Sequence, residues 1–259
     1  MASGTDLLTA RIVLRAVLPI IKVLLEDDPK TKKKFQNVTA TVQFAAHDPE
    51  AGQLGSYLKF DKGSFEIVHG IAENPDLTFR FSSVQKMNAM FAGKPVLPRI
   101  QGFWNVGLLL KMLGVLTRLK LLMPDKAPKN AGEARLKVKL ILYMVSTALS
   151  QLNKGGDPDM VKWTSKQPER IYQWSVEPEG IACYLRVKAG KTKAGRGYYT
   201  RRKPFVHMKF AGVDGALPVL TNKIDTVQAM TQGLVDNDGS PEYGGQLGDF
   251  MLKIARMLT

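Results

Sequence analysis

The sequence has a single cysteine, Cys183, and three histidines, His47, His69 and His207, in 259 residues. One cysteine excludes an internal disulfide and fits a reducing compartment. Cys183 lies between Ala182 and Tyr184 in a segment that reads as a strand. No histidine stands near it in sequence to generate a thiolate, so it reads as a packed, inert thiol. None of the histidines has a cysteine or a second histidine at metal-ligand spacing, and no metal site is expected. His207 occupies the outward phase of the Val206, Met208, Phe210 alternation and reads as solvated.

Catalytic signatures are also missing. There is no Gly-x-Ser-x-Gly elbow, no phosphate loop ending in Gly-Lys-Ser/Thr, and no dinucleotide fingerprint after a strand. Gly195-Arg196-Gly197 lacks the strand-to-helix setting. Carboxylates cluster only at Glu26-Asp27-Asp28 and around Asp236 to Glu242, in segments that read as solvated loops. The expectation is a chain that is not an enzyme and needs no cofactor.

Long apolar runs are lacking too. Arg11, Arg15 and Lys22 break the N-terminal apolar stretch, and no small-residue cleavage site follows it. Lys111, Arg118 and Lys120 spoil Trp104 to Met123 as a bilayer span. The last residues, Arg256 to Thr259, do not match a peroxisomal tripeptide. The expectation is a cytoplasmic protein, with peripheral membrane contact left open.

What the chain has in excess is positive charge. Thirty-seven Lys+Arg against 23 Asp+Glu give a net charge of +14, which favours a polyanionic partner: nucleic acid, anionic lipid or an acidic protein. Much of it falls in a loop from Lys188 to Lys203 that contains no acidic residue. Tyr198 and Tyr199 sit beside Arg196, Arg201, Arg202 and Lys203, a mixture suited to stacking on bases or resting at a lipid interface. A solvated hairpin tip is the competing reading.

The order of elements repeats. A helix over 6 to 34, kinked at Pro19, precedes a strand at Val38 to Phe44 whose alternation predicts one buried face. A hairpin follows, Ser56 to Phe60 and Phe65 to His69, turning at Asp61-Lys62-Gly63. A fourth strand at Leu77 to Phe81 leads to a helix capped by Ser83 and stopped by Gly93, a short extended piece near Ile100, and an apolar helix from Trp104 to Met123. Pro124, Pro128 and Gly132 mark a linker.

Ala10-Arg11 then returns as Ala134-Arg135, Tyr57-Leu58 as Tyr184-Leu185, and Pro75 with Phe79 and Phe81 as Pro204 with Met208 and Phe210, at offsets of 124, 127 and 129. Val84-Gln85 returns as Val227-Gln228 at 143, and Lys111 as Lys253 at 142. Matches in one order at nearly constant offset predict two diverged copies of one α+β domain, residues 1–124 and 125–259, with an insertion near 211–225 in the second.

The helix at Trp104 to Met123 carries more apolar residues than one face needs, so it is either buried all round or has something apolar on its far side. Met87, Met90 and Phe91 add adaptable side chains before it. Asn74-Pro75-Asp76-Leu77-Thr78-Phe79-Arg80-Phe81, with Met87 to Gly93-Lys94 and Ile100-Gln101-Gly102, resembles the sterol carrier protein 2 family. The likeness is good over about residues 35 to 122 and loose over 170 to 258, where Tyr243-Gly244-Gly245 stands in place of the Ile-x-Gly step.

The resemblance implies two tandem domains, each a roughly five-stranded, largely antiparallel sheet covered by helices around an apolar tunnel, with no catalysis by the domain itself. It implies binding and carriage of a lipid, sterol or fatty-acyl-like, beside Phe79, Phe81, Met87, Met90 and Phe91. Phe44, Phe60, Trp104, Leu109 and Leu113 complete that set in the first copy; Met208, Phe210, Met230 and Phe250 are its counterparts in the second. Arg196, Arg201, Arg202 and Lys203 would dock the second copy on an anionic membrane surface. A protein partner, with the chain as a non-catalytic scaffold for lipophilic intermediates, is the alternative; nucleic acid is disfavoured.

Overall fold

A computed structural model describes residues 2–259. The chain divides into two compact units, Met1–Met123 with Met257–Thr259, and Pro124–Arg256.

In the first unit Ser3 and Asp6 close a capping box at the start of α1 (Gly4–Ile12). The chain stays helical but not regular: a π turn (Val13–Val17) and a 3-10 turn (Leu18–Ile20) precede α2 (Ile21–Asp27). Pro19 lacks the N–H that an α ladder needs there. Asp28 then takes extended backbone angles, its carboxylate accepts the Thr31 N–H, and α3 (Pro29–Phe35) begins with proline at its first position. The helix expected over 6 to 34 is therefore three α-helical segments, and Pro29 ends the second as surely as Pro19 disturbs the first.

Five strands follow: β1 (Thr39–Asp48), β2 (Gly52–Asp61), β3 (Ser64–His69), β4 (Leu77–Phe81) and β5 (Arg99–Gln101). Their order is β3-β2-β1-β4-β5, with β1 and β4 parallel and the other neighbours antiparallel. Two helices are interleaved: α4 (Val84–Phe91), capped by Ser83, and α5 (Val106–Leu119), capped by Asn105.

The second unit opens with α6 (Ala131–Lys154) and α7 (Pro158–Ser165). Then come β6 (Arg170–Glu177), β7 (Ile181–Lys188), β8 (Lys191–Arg196), β9 (Val206–Ala211), α8 (Gly212–Leu220), α9 (Thr226–Thr231), β10 (Val235–Gly239) and α10 (Pro241–Leu258). The sheet order is β8-β7-β6-β9-β10, and β6–β9 is the parallel pair. Both sheets are thus mixed, with the same order and the same one parallel ladder.

The registers also agree. Val42 on β1 faces Leu58 on β2 and Leu77 on β4; Tyr172 on β6 faces Leu185 on β7 and Val206 on β9. Both hairpins turn through two residues with positive φ, Lys62-Gly63 and Ala189-Gly190, the geometry whose twist matches antiparallel strands. Gln43 and Gln173, at equivalent places, are buried, and each side-chain oxygen accepts a backbone N–H from the segment crossing to the fourth strand. That donor is Ala72 at 2.6 Å in one unit and Tyr199 at 2.9 Å in the other. The alternation at 38 to 44 predicts one solvated face, but β1 is buried on both faces from Val42 to Ala46, and this bond lets Gln43 be there.

Three features of the second unit depart from the sequence reading. The insertion near 211–225 is a helix, α8, whose Val213, Gly215 and Ala216 are buried and which packs on α6 and β9. Helix α7, which the sequence reading leaves out, is the counterpart of α3: Asp157 caps it and Pro158 opens it, 129 residues after Asp28 and Pro29. The glycine step after the last strand is at Gly239, not at Tyr243-Gly244-Gly245. Gly102 and Gly239 both have positive φ, and a Cβ on either would overlap a backbone carbonyl oxygen, that of Asp76 or Phe205.

Candidate functional site

In the first unit a line of rings leads outward from the sheet. Phe44 on β1 stacks on Phe79 of β4 at 4.8 Å, and both are fully buried; Phe91 on α4 meets Phe44 edge-on at 6.0 Å and is half-buried. Phe81 and Met87 are buried, whereas Met90 and Leu109 are half-exposed beside Phe91 and Leu108. Phe60 is buried elsewhere, packed between Phe35 at 4.7 Å and Phe65 at 5.4 Å. The sequence-expected residues thus fall into a buried set, a half-buried rim and an exposed set, because a helix residue's burial depends on which turn faces the sheet.

Helix α5 shows that division most clearly. At 100° per residue, Leu108, Met112, Val115 and Leu119 share one face, and all four are buried. Val106, Leu110 and Leu113 share nearly the opposite face, and all three are exposed. Burial all round, one of the two expectations for this helix, does not hold: its far side is exposed within the chain. Trp104 and Leu113, expected beside a ligand, are on the surface, as is Met230 in the second unit.

The second unit's interior is differently filled. Trp163 of α7 contacts Tyr172 at 5.3 Å and Phe250 of α10 at 5.5 Å. The Arg170 guanidinium lies between the Phe205 and Tyr243 rings, 4.0 and 4.3 Å from their centroids. Met208 and Phe210 are buried on β9. Trp163 and Arg170 carried no functional signal in sequence, since the rings that enclose them come from positions up to 87 residues away.

The basic loop has counter-ions after all. Glu169, just before β6, pairs with Arg186 at 2.7 Å, Lys188 at 3.4 Å and Arg202 at 3.7 Å, and Asp238 pairs with Lys203 at 3.4 Å. The hydrogen bond from Arg186 holds the Glu169 carboxyl below the usual range. Arg196 lies over the Tyr143 ring at 5.1 Å. Arg201 lines a cleft of about 150 Å³ with Tyr184, Arg186, Lys193, Tyr198, Tyr199 and Thr200. Tyr184 crosses the strand at Gly195, where any Cβ would overlap its ring. The acid-free run in sequence is therefore not an uncompensated charge in space, because sheet pairing brings Glu169 against β7.

Cys183 is wholly buried, and burial pushes its thiol up to about 12. His207 is not solvated: it is half-buried, and its Nε2 lies 2.8 Å from the hydroxyl of Ser175, itself fully buried. His69, exposed on β3, contacts the Ser56 hydroxyl on β2 through its Nδ1 at 2.9 Å, at a position not equivalent to His207. Partial desolvation lowers both imidazole pKa values, helped by Arg15 at His69 and Lys209 at His207. Among the described residues no group of three or more His, Cys, Asp or Glu is placed to hold a metal.

A folded-state pKa below the unfolded value of about 6.5 means that the unfolded chain takes up protons first on acidification. Stability from both histidines is full above about pH 6.5 and is lost as pH falls through the lowered folded values. The thermal midpoint should therefore drop between about pH 7 and pH 5, and the drop should shrink in His69→Gln/His207→Gln. Scanning calorimetry across that range checks it.

No family model matches the chain, and no curated protein matches it. Among solved structures it is similar to a conserved hypothetical protein from Thermus thermophilus described as possibly a sterol carrier protein. There the TM-score is 0.32 and the identity 18%, over 44% of this chain and 86% of that one. A stereoselective inverting sec-alkylsulfatase from Pseudomonas sp. gives 0.26 and 16% over 63% of this chain. A double mutant of a sec-alkyl sulfatase gives 0.28 and 17% over 64%. The match spans 28% of the length of either sulfatase. No helix among the described residues is long and apolar enough to cross a membrane.

Proposed function

We propose that this chain is a non-catalytic carrier, built from two copies of a sterol carrier protein 2-like domain, that holds a sterol or fatty-acyl-like ligand and docks transiently on anionic membrane from the cytoplasm. The observation that carries the reading is the ring series of the first unit, Phe79, Phe44 and Phe91, running from full burial to half-exposure between the sheet and α4. An apolar chain lodged at that rim would be held by area alone, at about 0.8 kcal/mol per buried methylene, with little selectivity. Met90, beside it, adapts to ligands of different shape.

The second unit is the weaker candidate: by register Trp174 and Met208 take the places of Phe44 and Phe79, so the stacked ring pair is not repeated there. Organic extraction of the purified chain followed by mass spectrometry should release an apolar compound, and a fluorescent fatty acid should be displaced by unlabelled lipid. A chain that carries no lipid and binds no fluorescent fatty acid is not a carrier.

A further inference from the structure

The exposed face of α5 continues into the residues before it. Phe103 and Trp104 stack edge-on at 5.4 Å, and Trp104 is 76% exposed; Leu97, in the preceding loop, is 92% exposed and Leu110, one turn into the helix, 63%. Val106 and Leu113, also exposed, extend this apolar tip along the helix. Scattered exposed apolar residues need no explanation, but six large ones within 17 positions of one chain do.

The charge around the tip is of one sign. Between Asp76 and Asp125 the sequence has no Asp or Glu and seven lysines and arginines. Arg80 and Arg99 face each other across the β4–β5 ladder, both exposed, a pairing that like charges disfavour unless an anion lies over them. Lys94 and Lys120 are exposed too. Two acids of the first unit are committed elsewhere: the Asp76 carboxylate accepts the Thr41 N–H at 2.7 Å, and Asp28 pairs with Arg118 at 3.0 Å.

We infer that this tip is a membrane-interfacial anchor for anionic bilayers. Phe103, Trp104 and the Val106, Leu110, Leu113 face would enter the headgroup boundary, with Arg80, Lys94, Arg99 and Lys120 over lipid phosphates. A second copy of the chain would set this cationic surface against itself. A nucleic acid would find two rings to stack on, Phe103 and Trp104, but would gain nothing from the exposed aliphatic Leu97, Val106, Leu110 and Leu113, which a bilayer would bury. The inference does not depend on ligand carriage, and it puts the membrane contact in the first unit rather than at Lys188–Lys203.

The test is sedimentation with phosphatidylcholine vesicles, with and without phosphatidylserine, using the full chain. Binding should require phosphatidylserine, weaken with salt, and fall by about tenfold or more in Phe103→Ser/Trp104→Ser, whose side chains are exposed and whose fold should be retained. Arg80→Gln/Arg99→Gln should weaken binding and reduce its salt dependence. Emission of wild-type chain should shift to the blue on binding, since Trp174 is buried and Trp163 half-buried, leaving Trp104 as the exposed reporter.

Full vesicle binding by Phe103→Ser/Trp104→Ser overturns the proposal, as does binding abolished instead by Arg201→Gln/Arg202→Gln/Lys203→Gln. A wild-type chain that ignores these vesicles, or that self-associates through the tip, also overturns it. Lipid co-purification is read separately, so either idea can fail alone.

Discussion

Gly102→Ala and Gly239→Ala should each lower stability by about 3 kcal/mol or more, among the largest effects any single methyl group can have in this chain. Both glycines have positive φ, 81° and 116°, where an L-residue costs about 1–2 kcal/mol from backbone strain alone. At both, the new Cβ would also overlap a main-chain carbonyl, Asp76 or Phe205, that is fixed at the entry to the fourth strand. Backbone cannot swing aside as a side chain can, so the last strand of the sheet must shift. Gly52→Ala and Gly156→Ala are the controls: positive φ, 72° and 84°, but open space around the Cβ, so strain alone remains. Urea unfolding of the four variants at neutral pH separates the two contributions.

That pair of glycines also marks how far the sequence could be read. Ile100-Gln101-Gly102 is legible because its neighbours are apolar and regular, while its counterpart, Asn237-Asp238-Gly239, is polar and resembles a turn. The offset between copies survives in the registers: Leu58 and Leu185 occupy one sheet position 127 residues apart, Phe79 and Met208 another at 129. The cap before α9 is Asp225, 142 residues after Ser83, whereas the glycine steps Gly102 and Gly239 lie 137 apart, so the offset shortens between the helix and the last strand.

What the sequence hides is whatever long-range pairing decides. Glu169 neutralises part of the basic loop only because β6 and β7 pair, and Gln43 is buried only because Ala72 passes over it. Exposure is hidden for the same reason. Leu108 and Leu110 are one residue type on one helix, and only the sheet's position makes the first core and the second surface.

The distinction between core and rim gives the other large effect. Phe44→Ala should cost about 3–5 kcal/mol, because a fully buried ring that stacks on Phe79 leaves a cavity that the two-sided burial of β1 keeps from collapsing. Phe91→Ala should cost only about 1 kcal/mol, since its ring is half-exposed and α4 is otherwise held by the buried Val84 and Met87. For ligand the ranking reverses in what can be measured. Phe91→Ala stays folded and should lose about tenfold in affinity for a fluorescent fatty acid, the worth of an apolar ring closing on a chain at the rim. If Phe91→Ala binds as tightly as the parent, the rim is ordinary packing and the ring series leads to no ligand. If it binds more weakly with its unfolding midpoint nearly intact, the loss belongs to the site, because a general loosening of the first unit would have lowered that midpoint as well.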